Sequence, residues 1–123
     1  MNKQEIINQT KKGLDRDSAF GNHTNCIRPH PTESFFHYMA KCIKCWELYQ
    51  EKLPFWTEVF TKDRKCKFDI LSPMENKTIE VSHSDDDIKS SKENYPNGLE
   101  IEEINAQEFV RKKIREYEVL GNE

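Results

Sequence analysis

The chain has 123 residues, of which 33% are charged and 35% hydrophobic, and its 22 acidic and 19 basic side chains give a net charge of −3 at pH 7. This length supports one compact domain, and no apolar run approaches the roughly 18 residues that span a bilayer, so a transmembrane protein is excluded. The acidic balance excludes nucleic-acid binding through bulk charge alone, and thirteen aromatic side chains (7 Phe, 4 Tyr and 2 Trp) exclude a generally disordered chain.

A single domain is expected over 1–123, made of an N-terminal helix and loop (1–31), a core (32–104) and a C-terminal helix (105–123). The first residues lack an apolar signal core, which favours a cytoplasmic location, in the host cytoplasm if the chain is viral. We therefore expect no membrane partner.

Two helices are predicted before the sheet. Residues 2–14 predict a short, weak helix, and the stretch 15–31, with its Gly, Asn and Pro residues, predicts a loop. The main helix should begin at an N-cap on Thr32, with Glu33 favourably placed in its first turn, and end near Pro54. It is defined by an apolar stripe at helical spacing: Phe36, Met39, Ile43, Trp46 and Leu53.

Strands follow the main helix. Aromatic, β-branched and alternating residues predict three of them, over 55–61, 65–71 and 77–82. The polar stretch 83–98 predicts a short exposed helix and a turn, and 99–104 predicts a fourth strand. The last helix is predicted over 106–120, with Gly121 just past its end. It should bury four apolar side chains: Phe109, Val110, Ile114 and Tyr117. The order of helix, three strands, weak helix, strand and helix indicates an α/β fold.

The four cysteines allow a zinc site. Cys42 and Cys45 have the short spacing that zinc ligands use, and Cys26 and Cys66 would complete the set. Against zinc, the pair lies in a helical pattern and the other two cysteines stand alone. The alternative is a set of small, reduced, half-buried thiols.

Strand pairing predicts a row of three carboxylates. Hairpins centred on 63–64 and 74–75 would place Glu58 opposite Asp69 and Asp69 opposite Glu80, with Cβ atoms about 5 Å apart. Facing like charges destabilise a sheet, and a hard divalent cation would offset that cost. The alternative is that these acids lie on the solvated face of an ordinary antiparallel sheet, and a one-residue slip would break the row.

The alternation along the same strands predicts an apolar face that helices can cover. Phe68, Ile70, Ile79 and Val81 are expected together on that face, opposite the carboxylates.

These features resemble the restriction-endonuclease-like superfamily, the PD-(D/E)xK nucleases. The predicted order from Thr32 to Ile104 is similar to that family's αβββαβ core, a four-stranded mixed sheet flanked by helices. Asp69 matches the family's acid on the second strand, and Glu80 matches its acid on the third. The stretch Ile-Glu-Val-Ser-His-Ser, 79–84, also looks like a subgroup from archaea, their viruses and competence-type proteins, in which a polar residue replaces the motif lysine.

The resemblance implies how the missing lysine is replaced. The family's catalytic lysine falls at Ser82, which carries no positive charge. His37 and Lys41 match a His-x-x-x-Lys pair that members of the subgroup carry on the preceding helix, where residues four apart share a face. Lys41 would then stabilise charge developing on the phosphate, and His37 would position phosphate or assist proton transfer. A solvated lysine and a histidine at the core edge are the alternatives, and Lys67 is another candidate for the charge.

The resemblance also implies a metal centre. Asp69 and Glu80 would hold Mg²⁺ or Mn²⁺, with the backbone carbonyl of Val81 as a third ligand. Glu58 would complete the metal shell or orient the attacking water.

The implied function is metal-dependent hydrolysis of phosphodiester bonds in DNA by an endonuclease, with a homodimer as the expected assembly. One alternative is a catalytically inactive protein of the same fold that binds DNA or protein as an inhibitor or regulator. Another is a zinc-stabilised interaction module built on the four cysteines.

Overall fold

A computed structural model of the chain describes residues 2–12, 14, 24–62, 66–82 and 98–121. Its elements, in chain order, are α1 (Lys3–Lys12), α2 (Phe35–Gln50), β1 (Trp56–Phe60), β2 (Lys67–Ser72), a 3₁₀ turn (Pro73–Glu75), β3 (Lys77–Ser82), β4 (Glu100–Asn105) and α3 (Ala106–Gly121). The weak helix predicted over 83–98 lies, apart from Gly98, outside the described residues. No helix in the described part of the chain combines the length and the apolar character needed to cross a membrane.

The four strands form one mixed sheet in the order β1-β2-β3-β4. The first three are antiparallel, and β4 runs parallel to β3. Trp56 lies opposite Leu71, and Ile70 lies opposite Ile79, which confirms both predicted hairpin registers. The predicted carboxylate pairs are not part of the strand pairing, because it passes over Glu58 and Asp69 and stops at Ile70 and Ile79, one position short of Asp69 and Glu80. The fold is therefore α/β, a four-stranded mixed sheet flanked by helices, as the sequence predicts.

Apolar side chains pack against the sheet in separate clusters. One joins α1 and Leu14 to the β1–β2 hairpin: Ile7, Leu14, Trp56, Val59, Cys66, Phe68 and Leu71. The others join α2 and α3 to the sheet: Cys45, Leu48, Phe55, Ile70, Ile79 and Ile104, with Ala40, Val81, Ala106 and Val110 beside them. The sheet thus lies between α1 on one side and the α2–α3 pair on the other.

The predicted apolar face is wrong for Phe68. Phe68 packs in the α1 cluster, whereas Ile70 and Ile79 pack against α2. The physical reason is an irregularity where β1 meets β2. Glu58 has a φ of 54°, in the left-handed region, and the pairing of β1 with β2 skips it, so regular alternation of faces breaks there.

The N-cap of α2 is Ser34 and not Thr32. The Ser34 hydroxyl accepts a hydrogen bond from the backbone N–H of His37, 3.2 Å away. Thr32 lies instead in the preceding turn, where its hydroxyl contacts a ring nitrogen of His30. This cap fixes the start of the helix that carries His37 and Lys41.

The side chains buried by α2 and α3 also differ from the prediction. The buried residues of α2 are Ala40, Lys41, Cys45 and Leu48, and Trp46 is 50% exposed. On α3, Val110 is buried as predicted, whereas Ile114 and Tyr117 remain 47% and 39% exposed. Helix α2 is apolar on more than one side, so helical spacing alone does not identify the side that meets the sheet.

We expect Ser34→Ala to lower the free energy of unfolding by about 1 kcal/mol, because the variant leaves the His37 N–H without its capping oxygen. Urea unfolding measures the change. Thr32→Ala is the matched control, since Thr32 does not cap α2. Equal losses in the two variants would contradict the assigned cap.

Candidate functional site

Five of the six side chains predicted to act at the site lie together where the start of α2 meets β1, β2 and β3. Their contacts, with those of two further residues, form one charged cluster: Glu33, His37, Lys41, Glu58, Lys67, Asp69 and Glu80. Ser82, the sixth predicted residue, is buried at the end of β3, opposite Asn105 of β4.

Asp69 and Glu80 reach towards each other across the β2–β3 boundary. Asp69 Oδ2 accepts a hydrogen bond from the Val81 backbone N–H at 2.9 Å, and Glu80 Oε2 lies 3.5 Å from the Asp69 backbone N–H. Each residue is only 7% exposed. The alternative of acids on a solvated sheet face is therefore wrong for this pair. Val81 contributes its N–H here, and the role of its carbonyl as a ligand stays a prediction.

Burial and mutual repulsion separate the acidities of the two carboxyl groups. Burial, followed by the charge of Asp69, raises the pKa of Glu80 to about 9. Burial alone would raise the pKa of Asp69 as well, but hydrogen bonds from His37 and the Val81 N–H outweigh it and hold that pKa below its ordinary value. At neutral pH the metal-free pair thus carries one proton, on Glu80.

The surroundings of Thr78 agree with a protonated Glu80. Thr78 Oγ1 lies 3.1 Å from the Ile70 carbonyl oxygen and 2.6 Å from Glu80 Oε1. A hydroxyl has one hydrogen to donate, so it cannot donate to both oxygens. When Glu80 is protonated, it donates to Thr78, and Thr78 donates to Ile70, so each group has a partner.

Lys41 is the most deeply buried charge of the cluster. Its side chain is fully buried, and its ammonium donates to the Arg28 carbonyl at 2.7 Å, to Glu33 Oε2 at 2.7 Å and to Glu58 Oε1 at 3.1 Å. Burial alone would lower the pKa of Lys41, but Glu33 and Glu58 outweigh it and raise the pKa. The alternative of a solvated helix lysine is therefore wrong, and all three ammonium hydrogens have acceptors.

Glu33 is the residue that the sequence analysis missed as a member of the site. Its Oε2 contacts His37 Nδ1 at 2.6 Å as well as the Lys41 ammonium. Burial would raise the pKa of Glu33, but hydrogen bonds from Lys41, the His30 backbone and His37 lower it. Glu33 precedes the N-cap Ser34 and so lies outside α2, and helical spacing from His37 and Lys41 therefore does not identify it.

His37 lies between two carboxylates. Its Nε2 is 3.6 Å from Asp69 Oδ2, and its Nδ1 meets Glu33. Burial would lower the pKa of His37, but the hydrogen bond and charge of Asp69, followed by those of Glu33, raise it. The imidazole therefore favours its protonated form, in which Nδ1 donates to Glu33 and the positive charge faces Asp69.

Glu58 and Lys67 complete the cluster on the sheet. Glu58 Oε2 accepts from the Lys67 ammonium at 2.8 Å, while its other oxygen faces Lys41. Both oxygens of Glu58 are thus occupied by lysines, and its predicted part in a metal shell stays a prediction. Lys67 also lies 3.9 Å from Asp69 Oδ1, and its side chain is 31% exposed, so its ammonium can reach a bound molecule.

The cysteines do not assemble into a zinc site. Cys45 and Cys66 belong to different apolar clusters, and burial, followed by the charge of Cys42, raises the pKa of Cys45 to about 12, which opposes the thiolate that zinc requires. Among the described residues, no group of three or more His, Cys, Asp and Glu side chains is arranged to hold a metal ion.

A donor set of two carboxylates still suits Mg²⁺. This cation is commonly held by one or two carboxylates, with waters and substrate phosphates as its other ligands. Asp69 and Glu80 offer buried oxygen donors on adjacent strands, and a cation between them would relieve the repulsion that now favours a proton on Glu80. The pair therefore fits Mg²⁺ or Mn²⁺ in chemistry and in number.

Comparisons with protein-family models, with curated proteins and with solved structures give no match to this chain. Any function of the cluster therefore rests on its own distances, burial and charges. The features that matter most are the buried pair of acids on adjacent strands, the fully buried ammonium of Lys41 and the partly exposed side chain of Lys67.

In metal-free protein, we expect stability to fall as the pH rises from 4.5 to about 9, because over this window folded Glu80 keeps a proton that the unfolded chain has lost. Glu80→Gln keeps the shape and cannot ionise, so its melting temperature relative to wild type should increase with pH. Thermal unfolding with a chelator present measures this. Glu108→Gln, an exposed site on α3, is the control, and parallel curves for Glu80→Gln and wild type would refute the assignment.

Lys41→Met should lower the free energy of unfolding by about 3–5 kcal/mol, because Glu33 and Glu58 would remain buried without their cation. Urea unfolding tests this. Lys44→Met, which breaks a more exposed pair with Glu102, should cost less than about 1 kcal/mol. If Glu33→Gln and Glu58→Gln added to Lys41→Met recovered no stability, the explanation by unpaired charge would be wrong.

Proposed function

We propose that this protein is a metal-dependent nuclease with a restriction-endonuclease-like core, which hydrolyses phosphodiester bonds in DNA with Mg²⁺ or Mn²⁺. The observation that carries the proposal is the pair of buried acids on adjacent strands, Asp69 and Glu80, in which the carboxyl group of each residue lies against a backbone N–H of the other strand. Two like charges buried together are costly, and they persist at sites where a cation or a proton is held. The strand order and the parallel β4 are compatible with the core that the sequence resembles.

Mg²⁺ or Mn²⁺ bound by Asp69 and Glu80 would act as a Lewis acid on a phosphate and lower the pKa of an attacking water. Asp69 is prepared for this by its low pKa and by the Val81 N–H, which fixes one carboxylate oxygen. Glu80, held by Thr78, must lose its proton to bind a cation.

The family that the sequence resembles uses one catalytic lysine, whereas two lysines with different roles lie in this cluster. Lys67 is the ammonium that can touch a phosphate oxygen, because it is partly exposed and lies close to Asp69. Lys41 has no hydrogen left to donate, so it acts by holding Glu58 and Glu33 in position. His37, protonated between Glu33 and Asp69, orients the Asp69 carboxylate.

The direct test is cleavage with Mn²⁺ of plasmid, single-stranded, flapped and branched DNA. Asp69→Asn and Glu80→Gln should each reduce cleavage by roughly 10²–10³-fold or more, since each removes a charge that the reaction requires. Glu108→Gln should leave cleavage unchanged. The thermal shift on adding Mn²⁺ provides a second readout, which only Asp69→Asn and Glu80→Gln should abolish.

Cleavage and the Mn²⁺ thermal shift together distinguish a nuclease from a protein that only binds the cation. Absence of cleavage on every substrate, with the Mn²⁺ shift retained, would leave a cation-binding protein of this fold that does not cut DNA. Absence of the shift as well would refute the metal centre.

Lys67→Met should lower the cleavage rate by roughly 10²-fold while leaving the Mn²⁺ thermal shift in place, because the ammonium acts on phosphate and not on the cation. Lys62→Met, at an exposed lysine beyond β1, is the matched control. An unchanged rate in Lys67→Met would remove Lys67 from the site.

A further inference from the structure

The outward side of α2 carries an apolar stripe that the fold does not bury. Phe35, Trp46 and Tyr49 are 69%, 50% and 61% exposed, and Met39 and Cys42 lie between them, half-buried. The five positions follow one another at spacings of four, three, four and three residues. This is the heptad spacing with which one helix packs along another.

The stripe is continuous with an apolar groove between α2 and α3. The groove has a volume of about 530 Å³ and is lined by Ile27, Cys42, Ile43, Trp46 and Tyr117. The Trp46 and Tyr117 rings meet edge to face, with centroids 5.9 Å apart. A soluble domain seldom exposes several large aromatic side chains in one row without a partner for them.

We propose that this stripe is the interface through which two copies of the chain form an antiparallel, two-fold symmetric dimer. A two-fold interface uses the same surface on both partners, and a heptad stripe is complementary to itself in this way. Tyr38 and Ile43, which flank the stripe, are uncharged, so these two positions place no like charges against each other.

Charges on α3 select the antiparallel arrangement. Arg111 lies over the Phe36 ring near the start of α2, and Tyr117 meets Trp46 in its second half, so both helices run in the same general direction. The exposed bases Arg111 and Arg115 therefore lie nearer the start of α2 than the exposed acids that follow them, Glu116 and Glu118. Antiparallel pairing brings the basic half of one copy towards the acidic half of the other, whereas parallel pairing opposes like charges.

The exposed surface is sufficient for a dimer. An aromatic side chain spans about 150–250 Å², so the exposed parts of Phe35, Trp46, Tyr49, Ile114 and Tyr117 give roughly 500 Å² on each copy. Two copies would bury roughly 1,000 Å², which is the lower limit for a specific interface. The proposal does not depend on nuclease activity.

The first test is sedimentation equilibrium of the full chain. Wild type should form a dimer, and Trp46→Glu and Tyr49→Glu should each weaken it by roughly 100-fold. Both positions are at least half exposed, so the variants should keep the wild-type circular dichroism, and their melting temperature should fall only by the stabilisation that the lost dimer contributes. Asn8→Glu, which adds the same charge on α1 beyond the sheet, should leave the dimer intact. A wild-type chain that remains monomeric at the highest concentration that stays in solution would overturn the proposal.

A charge exchange tests the arrangement. Arg111→Glu with Arg115→Glu, and Glu116→Arg with Glu118→Arg, should each weaken the homodimer by roughly tenfold or more, and a mixture of the two proteins should recover the wild-type affinity. Homodimers of unchanged affinity in both variants would exclude antiparallel pairing, because in a parallel pair like charges face each other before and after the exchange.

Cys42 provides a positional test, because it is the central residue of the stripe and meets its own counterpart in an antiparallel pair. Diamide, which takes up the two thiol hydrogens as the disulfide forms, should cross-link Cys26→Ser protein into a dimer. It should not cross-link Cys42→Ser protein, although Cys26 is exposed. Equal cross-linking of the two variants would contradict the register.

Discussion

The ammonium of Lys41 is the interaction on which the rest of the site depends. It is fully buried, and it joins the carbonyl of Arg28, the carboxylate of Glu33 before α2 and that of Glu58 on β1. A buried charge is tolerated only when its partners are complete, and here three acceptors match three donors. This interaction holds the start of α2 against the edge of the sheet, and it thereby brings His37 to Asp69.

The charges of the cluster balance only if one acid is neutral. Glu33, Glu58, Asp69 and Glu80 face three bases, His37, Lys41 and Lys67. With Glu80 protonated, three negative charges meet three positive ones, in agreement with the raised pKa of Glu80. A divalent cation between Asp69 and Glu80 would replace one proton and leave an excess of positive charge. A phosphate, which is an anion, would then complete the balance, and this complementarity suits a nuclease.

The sequence predicts the frame of the site well because the frame depends on local chemistry. The lengths of the two turns determine which residues of β1, β2 and β3 face each other, and the predicted registers are confirmed. The role of Glu33 could not be derived in this way, since it depends on how a residue ahead of a helix folds back on Lys41. The positive φ of Glu58 could not be predicted either, because the residue is neither a glycine nor an asparagine. Helical periodicity does not show which apolar side of α2 meets the sheet. The prediction therefore places Trp46 in the core, whereas its side chain is half exposed.

Because α2 has several apolar sides, the residues that face the sheet differ from those that face outward. Lys41 and Cys45 face the sheet, whereas Cys42, Trp46 and Tyr49 lie on the outward stripe. Positions 41 and 42 differ by about 100° around a helix, and positions 41 and 46 by about 140°. Trp46 is therefore well separated from Lys41 around the helix, whereas Tyr38, which flanks the stripe, has its ring centroid 5.5 Å from the Lys41 ammonium. Loss of dimerisation with cleavage intact, or the reverse, would be intelligible from this one helix.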